Sequence, residues 1–227
     1  MSQVTAEYQK KWHHDALMSE RIKWQERTFA TFASLFSHIL KAPFEGKILD
    51  VGCGDGALVN LLSTKRNIKA QGIDINHGVD FETDKLPFND REFDIVIMYS
   101  VIEHLFDPGV ILQEIKRILK PGGFLVVITP HLNLANLIIS DRRFYEDPTH
   151  VHPYNPVSLE KLMGLYNFQK KFIGLWTVKK TYRLWQLPAS WQFYLGALLP
   201  FTGQVKWAPR FLTGRSKSIL GVFCNEK

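Results

Sequence analysis

A glycine-rich segment behind a short apolar run is the part of this sequence best suited to hold a ligand. Gly52-Cys53-Gly54-Asp55-Gly56-Ala57 fits the pattern G-x-G-x-x-G/A, whose glycines let the backbone approach a nucleotide closely. Asp74 stands twenty residues beyond Gly54, where a carboxylate that ends a second strand can accept hydrogen bonds from ribose hydroxyls. The loop predicts a nucleotide-like ligand with a ribose, and an NAD-dependent oxidoreductase is one interpretation.

An acidic residue just ahead of this loop favours a ligand other than a dinucleotide. Asp50 stands two residues before Gly52, at the end of an apolar strand predicted over 47–51. A carboxylate there would crowd the pyrophosphate of a dinucleotide, whereas it attracts a ligand that carries a cationic amino group and a sulfonium. Asp50 thereby makes the NAD-dependent oxidoreductase the more remote alternative.

Two later segments extend the pattern. Residues 85–94 lead into an apolar strand and then into Tyr99-Ser100-Val101-Ile102-Glu103-His104-Leu105. Leu119-Lys120-Pro121-Gly122-Gly123, predicted as a turn, precedes another apolar strand. Together with the glycine loop and Asp74, this order and spacing resembles the class I S-adenosyl-L-methionine (SAM)-dependent methyltransferases.

The resemblance covers about residues 40–175 and the last strand. It implies a Rossmann-like α/β fold, in which helices flank a doubly wound seven-stranded sheet. The sheet is expected to be parallel with an antiparallel edge strand, so that strands six and seven form an antiparallel pair at one edge. It also implies SAM as the cofactor. The implied SAM-binding residues are Asp50, Gly52 and Gly54 around the methionine part, Asp74 at the ribose, Ile75 beside the adenine, Asp80 and Phe81 at the adenine edge, and Ser100 near the methionine end. Glu82 and Asp84 compete with Asp80 for the adenine amine.

Two histidines are candidates for a catalytic base. Methyl transfer is an in-line displacement at an activated methyl, so the protein mainly positions the reactants, but a hydroxyl acceptor must also lose its proton. The segment Asp147-Pro148-Thr149-His150-Val151 is similar to one that lies over the acceptor pocket in related methyltransferases, and this makes His150 the first candidate. His131 follows a predicted strand near the cofactor and is the second candidate. The alternative is that His131 is a loop histidine with no catalytic role.

A metal site is not predicted. Glu103-His104 resembles a stretch of the quinone-biosynthesis O-methyltransferases in which nearby acids can hold a metal, but Val101 occupies the other expected acid position. We therefore expect Glu103 and His104 to be structural. His150 and His152 share a side if their segment is extended, yet two ligands alone are a weak signal of a metal.

The chain is predicted to be a single domain over residues 1–227. Amphipathic helices are expected over 5–41, and strands then alternate with helices, as in a parallel sheet. Ser158 is the expected N-cap of a helix that ends near residue 166, and final strands are expected over 171–179 and 218–224. Residues 182–214 form an aromatic, proline-punctuated insertion.

Composition and charge narrow the class of protein. Of 227 residues, 45% are apolar and 22% charged, a globular balance, and two cysteines cannot build a disulfide framework or a four-cysteine zinc site. The N-terminal segment lacks the apolar stretch of a signal peptide, and the nearly apolar run 193–201 is too short to span a bilayer. We expect a cytoplasmic protein, with a peripheral position at the inner membrane surface left open.

Positive charge is concentrated late in the chain. The net charge is +6, but residues 161–227 alone carry +10 together with four of the six tryptophans. The insertion 182–214 has three possible roles. It contacts an anionic membrane or a lipid-linked acceptor, it forms a lid or a homodimer contact, or it only packs against the rest of the domain. An RNA methyltransferase is disfavoured because the aromatic residues lie among leucines, and a non-catalytic SAM-binding protein remains an alternative. The acceptor is expected to be a small or lipid-linked molecule.

Overall fold

A computed structural model describes residues 18–131, 147–176 and 218–226. The insertion predicted over 182–214, residues 177–179 of one predicted strand and residues 5–17 of the predicted N-terminal helices lie outside the described residues. In chain order the elements are helix α1 (Met18–Leu35) with a π-helical turn (Phe36–Leu40), β1 (Gly46–Val51), α2 (Ala57–Ser63), β2 (Ile68–Ile73), a 3₁₀ turn (Ile75–His77), β3 (Phe93–Tyr99), a second 3₁₀ turn (Ile102–His104), α3 (Gly109–Ile118), β4 (Leu119–Pro130), α4 (Pro156–Leu165), β5 (Phe168–Trp176) and β6 (Ser218–Asn225).

The sheet confirms the α/β class. Its strand order is β2-β1-β3-β4-β6-β5, and β2, β1, β3 and β4 are mutually parallel. The resemblance implied seven strands, whereas the structure describes six, and residues 74–92, all of them described, contain no strand. In that stretch the carboxylates of Asp80 and Asp84 accept backbone N–H bonds from within the segment, and such local bonds compete with a strand ladder.

The last two strands form the antiparallel pair expected at one edge of the sheet. The strand that runs against the others is not the outermost one, however, and that part of the expectation was wrong. β6 pairs antiparallel with both β4 and β5, so it is second from the edge and β5 is the edge strand. The residues explain the order. β6 is buried along nearly its whole length, as suits an inner strand. β5 exposes Gln169, Lys170 and Lys171, and lysines on an edge strand discourage pairing with another chain.

The sheet lies between two helical layers. Alternate residues of a strand face opposite sides, so Ile48 packs with the layer of α1 and α2, whereas Leu49 packs with the layer of α3 and α4. Phe32 and Phe36 on one side and Ile111 and Ile115 on the other are fully buried. This packing holds the carboxyl ends of the parallel strands in fixed positions.

Two local expectations were wrong. Residues 120–123 are not a separate turn but part of β4, where the register with β3 shifts between the pairs Phe93–Leu119 and Ile95–Phe124. The extra residues form a bulge, which Gly122 permits through its φ of 79°.

The N-cap of α4 is Asn155 rather than Ser158. The Asn155 side chain accepts hydrogen bonds from the N–H groups of Val157 and Ser158 at 2.9 Å each. The Ser158 hydroxyl in turn accepts from the Asn155 N–H at 2.9 Å, which completes a capping box. Pro156 occupies the first turn, so Asn155 is the last residue that can keep an extended backbone before the helix.

Candidate active site

The site lies at the carboxyl edge of the parallel strands. Val51 is paired with both Ile73 and Met98, and Tyr99 is paired with Ile128. The loops that follow β1, β2, β3 and β4 therefore leave the sheet at one edge. Between β1 and β3 the strand order reverses, and in open α/β sheets ligands bind in the crevice at such a point.

The glycine loop adopts a backbone that other residues rarely reach. Gly52, Gly54 and Gly56 have φ values of 77°, 56° and 74°. The Gly52 N–H donates to the carbonyl oxygen of Ile73 at 2.8 Å, and the Gly54 N–H donates to Oδ2 of Asp74 at 2.9 Å. The loop and Asp74, which the sequence placed in one site, are thus in direct contact.

Asp74 is oriented by its neighbours. Its Oδ1 accepts from the backbone N–H of Asn76 at 3.0 Å and from the Asn76 side chain at 2.6 Å. Its own N–H donates to Nδ1 of His77 at 3.0 Å. A carboxylate has about four acceptor positions, of which these bonds and the one from Gly54 use three, so Asp74 can accept one further bond from a ligand hydroxyl.

Asp50 is a buried acid two residues before the glycine loop, with 4% of its surface exposed. Burial raises the pKa of Asp50 to about 7, and the charge of Asp74 adds to the shift. A cationic ligand group would stabilise the ionised form of both acids, so this chain's residues fit the amino group and sulfonium of SAM.

The raised pKa of Asp50 predicts that the stability of the folded protein depends on pH. Between its ordinary pKa and about 7, folded Asp50 keeps a proton that the unfolded chain releases, so its contribution to stability falls as pH rises over that interval. Asp50→Asn removes this dependence. The stability of the ligand-free variant relative to that of the wild type should therefore be greater at pH 8 than at pH 5. Thermal unfolding at both pH values checks this. An equal difference in Tm at the two pH values would contradict the raised pKa.

The residues implied at the adenine lie in different environments. Ile75 opens the 3₁₀ turn after Asp74 and is partly buried. Asp80 is also partly buried, and its Oδ1 accepts from the Glu82 N–H at 2.9 Å, a bond that holds the pKa of Asp80 below its ordinary value. Phe81 packs into the core with 6% of its surface exposed. Its side chain therefore supports the loop from inside.

Ser100 follows β3 with a strained backbone. Its φ is 52°, an uncommon value for a residue with a side chain, and its N–H donates to the Ile128 carbonyl oxygen at 2.8 Å. The residue is exposed at the carboxyl edge of the sheet. Such strain is often found at functional sites, because the surrounding structure must enforce it.

The segment 147–154 docks on the second 3₁₀ turn. The carbonyl oxygen of Glu103 accepts from the N–H groups of Val151 and His152 at 2.9 and 3.2 Å. Nδ1 of His104 lies 2.9 Å from the hydroxyl and 3.2 Å from the carbonyl oxygen of Thr149. These bonds bring the ring of His150 to 4.7 Å from that of His104, centroid to centroid.

His150 is held inside this cluster. Its side chain is 12% exposed, and its Nε2 lies 3.8 Å from Oδ2 of Asp147. Oδ1 of Asp147 accepts from the Thr149 hydroxyl at 2.6 Å, so the acid is itself positioned. The first sequence candidate for the base therefore stands beside a carboxylate and a second imidazole.

Glu103 is fully buried, and burial raises its pKa to about 7. The Thr129 hydroxyl donates to its Oε2 at 2.9 Å, whereas its Oε1 has no hydrogen-bond partner among the described residues. One ligand atom from each of Glu103, His104 and His150 lies within 4.8 Å of the other two. Two imidazoles and a carboxylate are a donor set that transition-metal ions accept, so this trio could hold one.

Sequence reasoning did not find this trio. The sequence pattern around Glu103 and His104 suggests a metal only if a second acid lies nearby, whereas the third donor, His150, comes from a segment more than 40 residues away. No spacing rule links the two segments, because backbone hydrogen bonds in the folded chain bring them together. The expectation that no metal binds stays a prediction.

His131 lies next to the same segment in a less polar setting. It forms an isolated parallel bridge with Tyr154, just beyond the end of β4. Burial lowers the pKa of His131 to about 4, so its imidazole is neutral at pH 7 and a weak base. Burial, with the charge of Glu103, raises the pKa of Tyr154 to about 12. This lowered pKa argues against His131 as the catalytic base.

Comparison with known proteins decides the family. Residues 21–171 match the sequence family described as Methyltransferase domain, which is more than half of the chain. The chain belongs to the SAM-dependent methyltransferases. The family that the sequence resembles is thereby confirmed. The glycine loop, Asp74 and His150 all lie within the matched residues.

Curated relatives match part of the chain. The Caulobacter vibrioides protein named ubiquinone biosynthesis O-methyltransferase is 34% identical over 119 residues, which cover 44% of this chain and 47% of that protein. The chain thus spans about half the length of the curated relatives it matches.

Solved structures share the fold. One is from a complex between the Haloferax volcanii Trm112 methyltransferase activator and a methyltransferase, with a TM-score of 0.62, 18% identity, and coverage of 96% of this chain and 97% of that one. Another, Haemonchus contortus phosphoethanolamine N-methyltransferase 2 in complex with SAM, has a TM-score of 0.53 and 16% identity, with coverage of 83% and 51%. Within the described ranges, no helix of this methyltransferase combines the length and apolarity needed to cross a membrane.

Proposed function

We propose that this methyltransferase transfers the methyl group of SAM to a hydroxyl of a small molecule. The observation that carries the proposal is the contact between the glycine loop and Asp74 beside buried Asp50, at the sheet edge where β4 leads to His131. When bound, SAM supplies a methyl group already activated for displacement. The residues of the chain then bind it, orient the acceptor and take up the proton.

The cofactor roles follow from charge and hydrogen-bonding capacity. Asp50 attracts the cationic amino group, and Gly52 and Gly54 leave room for the methionine part. Asp74 accepts from the ribose hydroxyls. The remaining proposed contacts are those of Ile75 and Asp80 with the adenine, with Phe81 beneath the loop, and of Ser100 with the methionine end.

Asp74 tests the cofactor assignment. Asp74→Ala should weaken SAM binding by about 1–3 kcal/mol, because charged hydrogen bonds to the ribose are lost. Asp74→Asn keeps one acceptor oxygen and should lose less. Calorimetry with SAM and with its demethylated product measures both variants. An exposed acid at the opposite edge of the sheet provides the control: Glu45→Ala removes a carboxylate that binds the Asn67 side chain and should leave SAM binding unchanged.

The same titrations separate the alternatives. Tight NAD binding without SAM binding would overturn the assignment in favour of the oxidoreductase. Turnover of methyl-labelled SAM with a panel of quinol precursors, lipid-linked sugars and RNA distinguishes a small-molecule enzyme from an RNA methyltransferase. SAM binding without methyl transfer to any of these would favour the non-catalytic alternative.

For the acceptor proton we propose His150, with His131 as the second candidate. His150 stands beside Asp147 and His104, whereas burial holds the pKa of His131 near 4. The relatives named ubiquinone biosynthesis O-methyltransferase support a hydroxyl as the acceptor group. A lipid-linked acceptor or an anionic membrane contact would depend on the basic, aromatic residues 182–214, which lie outside the described part of the chain.

A further inference from the structure

One carboxylate joins the loop implied at the adenine to a loop on the acceptor side. Oε1 of Glu82 accepts from the backbone N–H groups of Phe106 and Asp107 at 2.7 and 3.0 Å. The N–H of Glu82 itself donates to Asp80, so both ends of the residue are engaged. These contacts connect segments that are 24 and 25 residues apart in the chain.

The same backbone is held from its other side. The carbonyl oxygen of Phe106 accepts from Nε2 of His152 at 3.0 Å, and the His152 N–H donates to the Glu103 carbonyl oxygen. The Phe106 ring does little to anchor this loop, because the residue is 73% exposed. Polar bonds from Glu82 and His152 therefore fix residues 106–107. We call this arrangement the Glu82 clamp.

We propose that Glu82 is a positioning residue whose clamp couples cofactor binding at residues 79–84 to the placement of the acceptor-side segment 147–154. The inference rests on the proposed function, which assigns the loop of Asp80 to the adenine. Hydrogen bonds with an ionised acceptor are roughly twice as strong as neutral ones, so the carboxylate is the strong point of the link. Because coupling is reciprocal, whatever orders one loop also favours the ordered state of the other.

Hydrogen exchange with and without SAM tests the clamp. In wild type, SAM should slow amide exchange in residues 52–56, in residues 106–107 and in residues 150–154. Glu82→Ala should keep the effect at 52–56 and lose it at the other two places. Glu82→Gln retains an acceptor oxygen and should restore both.

Breaking the other half of the clamp gives a directional check. His152→Ala should keep SAM-dependent protection at 106–107 and lose it at 150–154. In kinetic assays, Glu82→Ala should lower kcat by about 10–100-fold through misplacement of the acceptor side, with the Kd of SAM changed less than about 3-fold. Glu45→Ala serves again as the control, and thermal unfolding confirms that each variant is folded.

The outcomes separate the two hypotheses. If SAM protects residues 52–56 in every protein but Glu82→Ala keeps the remote protection and its kcat, the clamp does not couple the loops and the proposed function stands. If SAM leaves residues 52–56 unprotected in wild type, the proposed function fails, and the inference fails with it.

Discussion

Turnover should fall by about 10²–10⁴-fold when His150 is replaced by alanine, while the affinity for SAM stays nearly unchanged. The loss is that of a general base, since a hydroxyl acceptor attacks far more slowly while it keeps its proton. SAM affinity should persist because the bonds that shape the cofactor side come from the glycine loop, Asp74 and Asn76. Single-turnover assays with methyl-labelled SAM, paired with calorimetry, measure the two effects separately.

Two further variants, one at the second candidate histidine and one at a residue that contacts His104, make this test specific. His131→Ala removes a histidine whose pKa burial lowers to about 4, so its effect on turnover should be much smaller. Thr149→Val removes the hydroxyl 2.9 Å from Nδ1 of His104 and should have an intermediate effect through poorer positioning of the cluster. Wild-type activity in His150→Ala would shift the role to His131 or to positioning alone.

A chelator separates the base from a metal. Glu103, His104 and His150 could hold an ion, which would polarise an acceptor hydroxyl and so compete with the proposed role of His150. A protein that uses His150 as the base should keep its activity after chelation, and calorimetry with Zn²⁺ should show no binding. Loss of activity with the chelator, restored by Zn²⁺, would instead contradict the base assignment.

The cofactor half of the site was predictable because it is local in sequence. A buried strand, a glycine loop and an acid at the end of the next strand all lie between Gly46 and Asp74, and parallel pairing of β1 with β2 brings them together. The contact between Gly54 and Asp74 needed only that topology. Residue types and spacing carry that much information.

The acceptor half depends on contacts with no local pattern. His150 reaches His104 because Val151 and His152 donate to the Glu103 carbonyl oxygen, and no periodicity announces such bonds. The place of β6 between β4 and β5 likewise follows from long-range pairing. The family pattern implied an antiparallel pair at one edge but placed the antiparallel strand itself outermost.

The Gly52→Ala variant should lose about 2–5 kcal/mol of unfolding free energy, with a further loss of SAM binding. A Cβ at this position would lie 2.3 Å from Cγ2 of Val101, and overpacking of this kind costs about 1–3 kcal/mol. The φ of 77° adds about 1–2 kcal/mol for any residue with a side chain. Val101 is buried and cannot easily move away. The new methyl group would also narrow the loop where the cofactor must approach.

Gly54→Ala is the matched control. Its φ is 56°, but among the described residues no atom other than those of its chain neighbours lies within 4 Å of the added Cβ. Its unfolding free energy should fall only by the cost of the positive φ, about 1–2 kcal/mol. Urea unfolding of both variants, of Val101→Ala and of the double variant Gly52→Ala/Val101→Ala completes the comparison. The double variant should be more stable than the sum of the single losses predicts, because the smaller side chain relieves the clash. Equal losses for Gly52→Ala and Gly54→Ala, with additive effects in the double variant, would show that Val101 does not restrict the loop.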